Sequence, residues 1–351
     1  MSDEKYNPAG TKGFSFIEFG TSDPEKLRKL FAQMRFIPVA THKTKQVELW
    51  KQGEINFLLN TQPDSFALEF VAAHGPCACG MGFLVEDAKK AYAHVKSKGG
   101  RPFDQRAGDW YNAETIPVIY GIGDNMLYLV DHDIFADDFN WDEAKRAEAE
   151  RLENTLDYID HVTHNVFRGN MNKWAKFYED LFNFRGIRYF DIEGKLTGLF
   201  SRAMTSPCGK IRIPINESAD DKSQIEEYLK DYKGEGIQHI ALGTNSIYET
   251  IETLRDRSVR FLDTPDTYYR NVDKRLPEHG EPLERMQKNK ILIDGAPTKD
   301  GGILLQIFTE TVIGPIFFEI IQRKGDEGFG EGNFQALFDS IEQDQIERGV
   351  L

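Results

Sequence analysis

The chain has 351 residues, 40% of them hydrophobic and 12% aromatic, enough for about two domains with full cores. Lys and Arg number 43 against 57 Asp and Glu, and the net charge of −14 excludes a general binder of nucleic acid or anionic membrane, which needs a basic excess. No apolar run approaches the roughly 20 residues that span a bilayer. The first residues carry neither the basic nor the apolar region of a signal peptide, and Cys77, Cys79 and Cys208 read as reduced thiols. A cytoplasmic protein is expected.

In chain order, residues 1–12 are polar and read as a loose arm. Phe14–Phe19 is a strand candidate, and Ser22-Asp23-Pro24-Glu25 starts a helix with Leu27, Leu30 and Phe31 at helical spacing. Short strands over Val47–Trp50 and Ile55–Leu59 complete the first unit. A second opens at Gly80–Val85, with its helix over Ala88–Lys98 closed by Gly99-Gly100. The charged stretch Trp141–Glu153 reads as a connecting helix. The order then restarts: strand Tyr158–Val162, helix Asn172–Phe182, strands Leu196–Ser201 and Lys210–Ile215. A fourth unit opens with strand Gly236–Leu242 and helix Ile247–Arg257. Four strand-helix-strand units in two halves predict an α+β chain of duplicated modules, each a curved and mainly antiparallel sheet. The predicted domains are residues 1–150, which include the connecting helix, and 151–351.

Most of the eight histidines fall in turns or polar helices. His161 and His239 differ, because they take equivalent places on the first strands of consecutive units and so face one cavity. Strand alternation lets only one of His161 and His164 face it, and the match to His239 selects His161. A third ligand is Glu319, a lone carboxylate within the apolar run Ile316–Ile321, where burial is costly unless the group is paired or binds a metal. Two His and one carboxylate from separate strands form the facial triad that holds non-haem Fe(II) with open positions. In the first half, Phe16 and Phe83 take the places of His161 and His239, and no metal is expected there. At the C-terminus Phe334, Leu337, Phe338 and Ile341 form one apolar stripe after Gly328, Gly330 and Gly332, which predicts a lid helix on a glycine hinge.

The strings Ile159-Asp160-His161-Val162-Thr163-His164-Asn165 and Gly236-Ile237-Gln238-His239-Ile240-Ala241 resemble the 4-hydroxyphenylpyruvate dioxygenase family of bacterial type. So do Leu304–Thr309, Phe317–Arg323 and Gly328–Phe334, and the likeness is densest from residue 158 onward. The resemblance implies the vicinal oxygen chelate (glyoxalase-like) fold of duplicated βαβββ modules, with two domains and half-open mixed sheets. It implies Fe(II) on His161, His239 and Glu319. It also implies a substrate pocket of Ser201, Pro214, Asn216, Gln224, Gln306, Phe308, Phe317, Phe329, Asn333 and Phe334. Gln238, next to His239, is expected to face away from the metal and to act only behind it. The implied reaction converts 4-hydroxyphenylpyruvate and O2 to homogentisate and CO2 by oxidative decarboxylation, ring hydroxylation and side-chain migration, a step of tyrosine and phenylalanine catabolism. Two alternatives share the triad: 4-hydroxymandelate synthase, disfavoured by Pro214 and Asn216, and a ring-cleaving extradiol dioxygenase. A homo-oligomer, dimer or tetramer, is expected from apolar surface on the metal-free half.

Overall fold

The computed structural model describes residues 6–153, 155–193, 198–295 and 302–337, the side chains of 190–193 excepted. The first half carries β1 (Thr11–Gly20), β2 (Ile37–His42), β3 (Val47–Gln52), β4 (Ile55–Asn60), β5 (Cys77–Val85), β6 (Val118–Tyr120), β7 (Met126–Val130) and β8 (Phe139–Trp141). The second carries β9 (Tyr158–Val166), β10 (Arg185–Glu193), β11 (Gly198–Thr205), β12 (Arg212–Ser218), β13 (Gly236–Gly243), β14 (Leu292–Gly295), β15 (Ile303–Phe308) and β16 (Phe317–Lys324). Each set makes one eight-stranded sheet, in the orders β6-β7-β5-β1-β4-β3-β2-β8 and β10-β11-β12-β9-β13-β16-β15-β14.

The sheets are mainly antiparallel, as expected, with two parallel joints in each. β1 runs parallel to β4 and β5 to β7, and in the second sheet β9 runs parallel to β12 and β13 to β16. Each of these joints follows a unit's helix, which returns the chain in the starting direction. Helix Pro24–Gln33 lays Leu27 and Phe31 on the sheet, with Phe31 5.3 Å from Phe19 of β1. Phe318 of β16 stacks on Phe57 at 5.9 Å and lies 6.4 Å from Phe19, so one residue of the second sheet is buried in the core of the first. No helix among the described residues is long and apolar enough to cross a membrane.

Some boundaries differ from the sequence reading. β1 begins at Thr11, tied to Asn7 by three side-chain hydrogen bonds, which shortens the arm. The connecting helix covers only Glu143–Ala149, because Asp142 caps it and Phe139–Trp141 pairs with β2. The helix Phe66–His74 lacks a polar face and so showed no amphipathic period. The predicted C-terminal helix is present over residues 331–337, whereas Phe338 and Ile341 lie outside the described residues. Among the described residues, five large apolar side chains are exposed and only Tyr6 of these belongs to the first half, which removes the stated ground for an oligomer surface there.

Strand register relates the two sheets residue by residue. His161 pairs with Ala241, which pairs with Glu319; in the first sheet Phe16 pairs with Gly82, which pairs with Tyr128. His239 pairs with Thr163, as Gly80 pairs with Glu18. The counterparts of His161, His239 and Glu319 are therefore Phe16, Gly80 and Tyr128. The sequence reading was right for Phe16 and wrong for Phe83, which lies three residues further along β5. Aromatic rings fill the equivalent space: Phe16 stands 5.0 Å from Tyr128, 5.8 Å from Trp110 and 6.0 Å from Phe135. Phe16 also lies over Gly82, where a Cβ would meet its ring at 2.6 Å.

Within this plug Glu18 is fully buried. Asn60 Nδ2 donates to its Oε1 at 2.7 Å and the Tyr128 hydroxyl donates to its Oε2. Burial pushes its carboxyl up to about 7, against those hydrogen bonds and with the nearby Asp109 charge adding to the rise. The folded state keeps a proton that the unfolded chain loses above its ordinary value of 4.5. The stability this proton contributes is full below pH 4.5 and is lost as pH rises through 7. Replacing Glu18 by Gln should remove this decline and stabilise the protein at pH 8 by about 3 kcal/mol relative to the parent. Urea unfolding of both proteins from pH 5 to pH 8 checks this, and parallel curves would contradict it.

Candidate metal centre

The two histidines are set by irregularities in one strand pair. Along β9 and β13 the register slips twice: His161 pairs with Ala241 but Ile159 with Leu242, and Thr163 pairs with His239 but His164 with Ile237. Asp160 and Gln238 are thus the extra residues of two β-bulges, which break the alternation of faces and re-aim a side chain. Each touches the histidine that follows it. Asp160 Oδ1 stands 2.8 Å from His161 Nδ1, and Gln238 Oε1 stands 3.0 Å from His239 Nδ1. Both acceptors fix the tautomer with the proton on Nδ1 and leave Nε2 free to ligate. Gln238 thus stands on the Nδ1 side of His239, behind the nitrogen that meets Glu319, and the bulge rather than strict alternation puts it there. The slips recur in the first sheet at Ser15 and Cys79, ahead of Phe16 and Gly80.

The two Nε2 atoms converge on Glu319. Its Oε2 lies 3.2 Å from His161 Nε2 and 3.4 Å from His239 Nε2, and its Oε1 is buried without a partner among the described residues. One ligand atom from each residue lies within 4.8 Å of the others. Ligand atoms about 2.1 Å from a common ion and at right angles are about 3 Å apart, so this donor set fits a cation bound on one face. Burial drives the Glu319 carboxyl up, but the two imidazoles outweigh it and hold it at about 2, so it is ionised. Burial pushes both imidazoles down; at His161 the Glu319 and Asp160 carboxylates reverse the shift, and at His239 burial prevails. Asp160 is itself kept well below the usual carboxylate range, against its burial, by Arg323 and His161. His164 is wholly buried on the other face, pushed down to about 3 by burial, and stays neutral.

A cavity beside the triad is lined by Ser201, Pro214, Asn216, Phe308, Phe329 and Phe334, six of the ten residues predicted for the substrate. It adjoins a chamber of about 490 Å³ that Gln224 and Phe317 also line. Phe317 stacks on His239 at 4.8 Å and Phe329 meets His161 edge-on at 5.2 Å. Gln306 and Asn333 line neither space. Asn333 Oδ1 accepts the Tyr268 hydroxyl at 2.6 Å, and Gln306 lies under Gly330, where a Cβ would fall 1.9 Å from its Oε1. At that close approach, and at a φ of +75°, only glycine fits.

Comparison with known proteins decides the family. The model described as "Hydroxyphenylpyruvate dioxygenase, HPPD, N-terminal" matches residues 6–140, and that of the glyoxalase/bleomycin resistance protein/dioxygenase superfamily matches residues 158–272. The chain is 57% identical to 4-hydroxyphenylpyruvate dioxygenase of Pseudomonas aeruginosa, over 99% of this chain and 98% of that protein. The chain belongs to the 4-hydroxyphenylpyruvate dioxygenase family. Its likeness to hemolysin VllY of Vibrio vulnificus is also 57%, over 98% of each, and to the Legionella pneumophila (strain Corby) dioxygenase 52%, over 98% of each. A solved variant of 4-hydroxymandelate synthase from Streptomyces coelicolor superposes with a TM-score of 0.81, over 95% of this chain and 99% of that one; at 24% identity this shows the fold alone.

Within this family member, sequence reasoning missed Thr163, Leu199 and Glu331, which also line the metal cavity. Thr163 was readable, since it lies two residues from His161 on one strand face. Leu199 and Glu331 carried no such signal. Asp160 and Arg323 were also passed over. The Arg323 guanidinium grips Asp160 through Nε and Nη2 at 2.7 and 2.8 Å, with 8% of its side chain exposed. Truncating Asp160 to Ala strands that buried cation and should cost about 3 to 5 kcal/mol of unfolding free energy. Truncating the half-buried Gln238 to Ala removes a neutral acceptor and should cost about 1 kcal/mol. Urea denaturation measures both, and equal costs would contradict this asymmetry.

Proposed function

We propose that this protein is an Fe(II)-dependent dioxygenase converting 4-hydroxyphenylpyruvate and O2 to homogentisate and CO2. The observation that carries the reading is the buried His161–His239–Glu319 cluster, opening on a phenylalanine-walled cavity in a chain of this family. Residues 151–351 form the catalytic domain in this reading and residues 1–150 the metal-free one, whose ligand places Phe16, Gly80 and Tyr128 cannot bind a metal together. A cytoplasmic location and a dimer or tetramer belong to the same reading, the latter tested by sedimentation velocity.

His161, His239 and Glu319 would hold the ion through Nε2, Nε2 and a carboxylate oxygen. A ferrous ion there supplies positions for an α-keto acid and O2 and the electrons that O2 reduction needs. Two neutral imidazoles and one carboxylate leave the centre with one positive charge, which attracts an anionic substrate despite the net −14 of the chain. Asp160 and Gln238 keep both imidazoles aimed by holding their Nδ1 protons. Phe308, Phe317, Phe329 and Phe334 wall the space with rings that exclude water and accept an aryl group at edge or offset geometry. Phe308 and Phe317 already stand edge to face at 6.0 Å. Ser201 and Asn216 face each other across β11 and β12 and offer hydroxyl and amide groups to the phenol. The reaction balances: one oxygen atom of O2 enters the new carboxylate, the other enters the ring, and the old carboxylate leaves as CO2.

Anaerobic reconstitution of metal-stripped protein with Fe(II), then addition of 4-hydroxyphenylpyruvate and O2, should release homogentisate and CO2 in equal amounts. 4-Hydroxymandelate with equal CO2 would overturn the product assignment. Cleavage of an added catechol without CO2 would instead support the ring-cleaving reading.

A further inference from the structure

Arg323 lies on β16 four residues past Glu319, on the same strand face, and is nearly buried. Its guanidinium serves two partners at once. Nε and Nη2 hold both oxygens of Asp160, and the oxygen facing Nη2 is the one that accepts the His161 Nδ1 proton. The remaining nitrogen, Nη1, donates to the carbonyls of Gly328 at 2.7 Å and Asp326 at 3.0 Å. Those carbonyls lead into Phe329, whose ring centroid lies 5.7 Å from the guanidinium carbon and 5.2 Å from the His161 ring.

The segment beyond is fastened in the same manner. Gly332 N donates to Asp294 at 2.7 Å, and Asn333 Oδ1 accepts Tyr268 at 2.6 Å and Arg275 at 3.3 Å. Phe329, Glu331 and Phe334 from this segment line the metal cavity. One planar, five-donor fork thus joins the carboxylate behind a metal ligand to the stretch that walls the substrate space. Arg212 makes a second, looser link, with Nη1 3.5 Å from Asp160 and Nη2 donating to the exposed Glu327 side chain, but it holds neither the second Asp160 oxygen nor the backbone ahead of Phe329. A lysine at 323 can neutralise Asp160 but cannot span carboxylate and carbonyls together.

We propose that Arg323 is a positioning residue that couples the aim of His161 at the metal to the seating of residues 326–334. The proposal rests on the metal reading above. Turning the imidazole turns Asp160, and the rigid fork carries that rotation to the two carbonyls.

The test uses Co(II) alone as probe, with the full-length apo-protein and no turnover. Co(II) affinity is read by absorption titration, and amide exchange over residues 326–334 by mass spectrometry with and without the metal. In the parent, Co(II) should slow exchange in this segment several-fold, although none of its residues is a ligand. In Arg323→Lys the affinity should fall about tenfold, and metal should leave the segment's exchange unchanged. Metal-dependent slowing that survives in Arg323→Lys, or a parent that binds Co(II) without slowing, overturns the coupling alone. A parent that binds no Co(II) overturns the metal reading, and the coupling with it. If Arg323→Lys does not melt cooperatively, the double variant Asp160→Asn, Arg323→Met removes both buried charges. It should bind Co(II) with no slowing in the segment; slowing there overturns the coupling.

Discussion

Glu319 is a buried carboxylate faced by two imidazole nitrogens, and the rest of the second sheet is arranged so that this meeting is possible. A carboxylate in such a place is stable only if its charge is answered nearby. His161 and His239 answer it, and their own outer nitrogens are answered in turn by Asp160 and Gln238. Asp160 is answered by Arg323. The chain of partners runs from the Glu319 oxygen between the two imidazoles outward to the backbone of the C-terminal segment, and each member is buried or half-buried.

The same sheet without that chain of charges is present in the first half. Phe16, Gly80 and Tyr128 occupy the three ligand places, and a packed group of rings replaces the cavity. Glu18 is a buried carboxylate there, where only neutral groups donate to it, and burial raises its proton affinity. Duplication has kept the strand register and both bulges while the chemistry has diverged. Phe318, reaching from β16 to Phe19 and Phe57, makes the first half part of the support of the strand that carries Glu319.

Much of this was legible in the amino-acid order. The repeat, the pairing of His161 with His239, and Glu319 as a lone acid in an apolar run all come from residue type and spacing. What alternation could not give was the behaviour of Asp160 and Gln238, because a bulge inserts one residue and shifts faces locally, and no residue type marks it. The same blindness to register put Phe83 in place of Gly80. Helix Phe66–His74 carried no period because it has no polar face. Gln306 and Asn333 followed from family likeness, yet their side chains serve the seating of residues 330–333, a role set by long-range contacts with Tyr268 and Gly330.

The ferrous ion proposed on His161, His239 and Glu319 can be located in crystals. Anomalous diffraction from crystals of anaerobically iron-loaded protein, collected on either side of the iron absorption edge, measures this directly. A single strong peak per chain is expected within about 2.2 Å of His161 Nε2, His239 Nε2 and a Glu319 oxygen. An iron peak elsewhere, or one that leaves any of the three unligated, would contradict it.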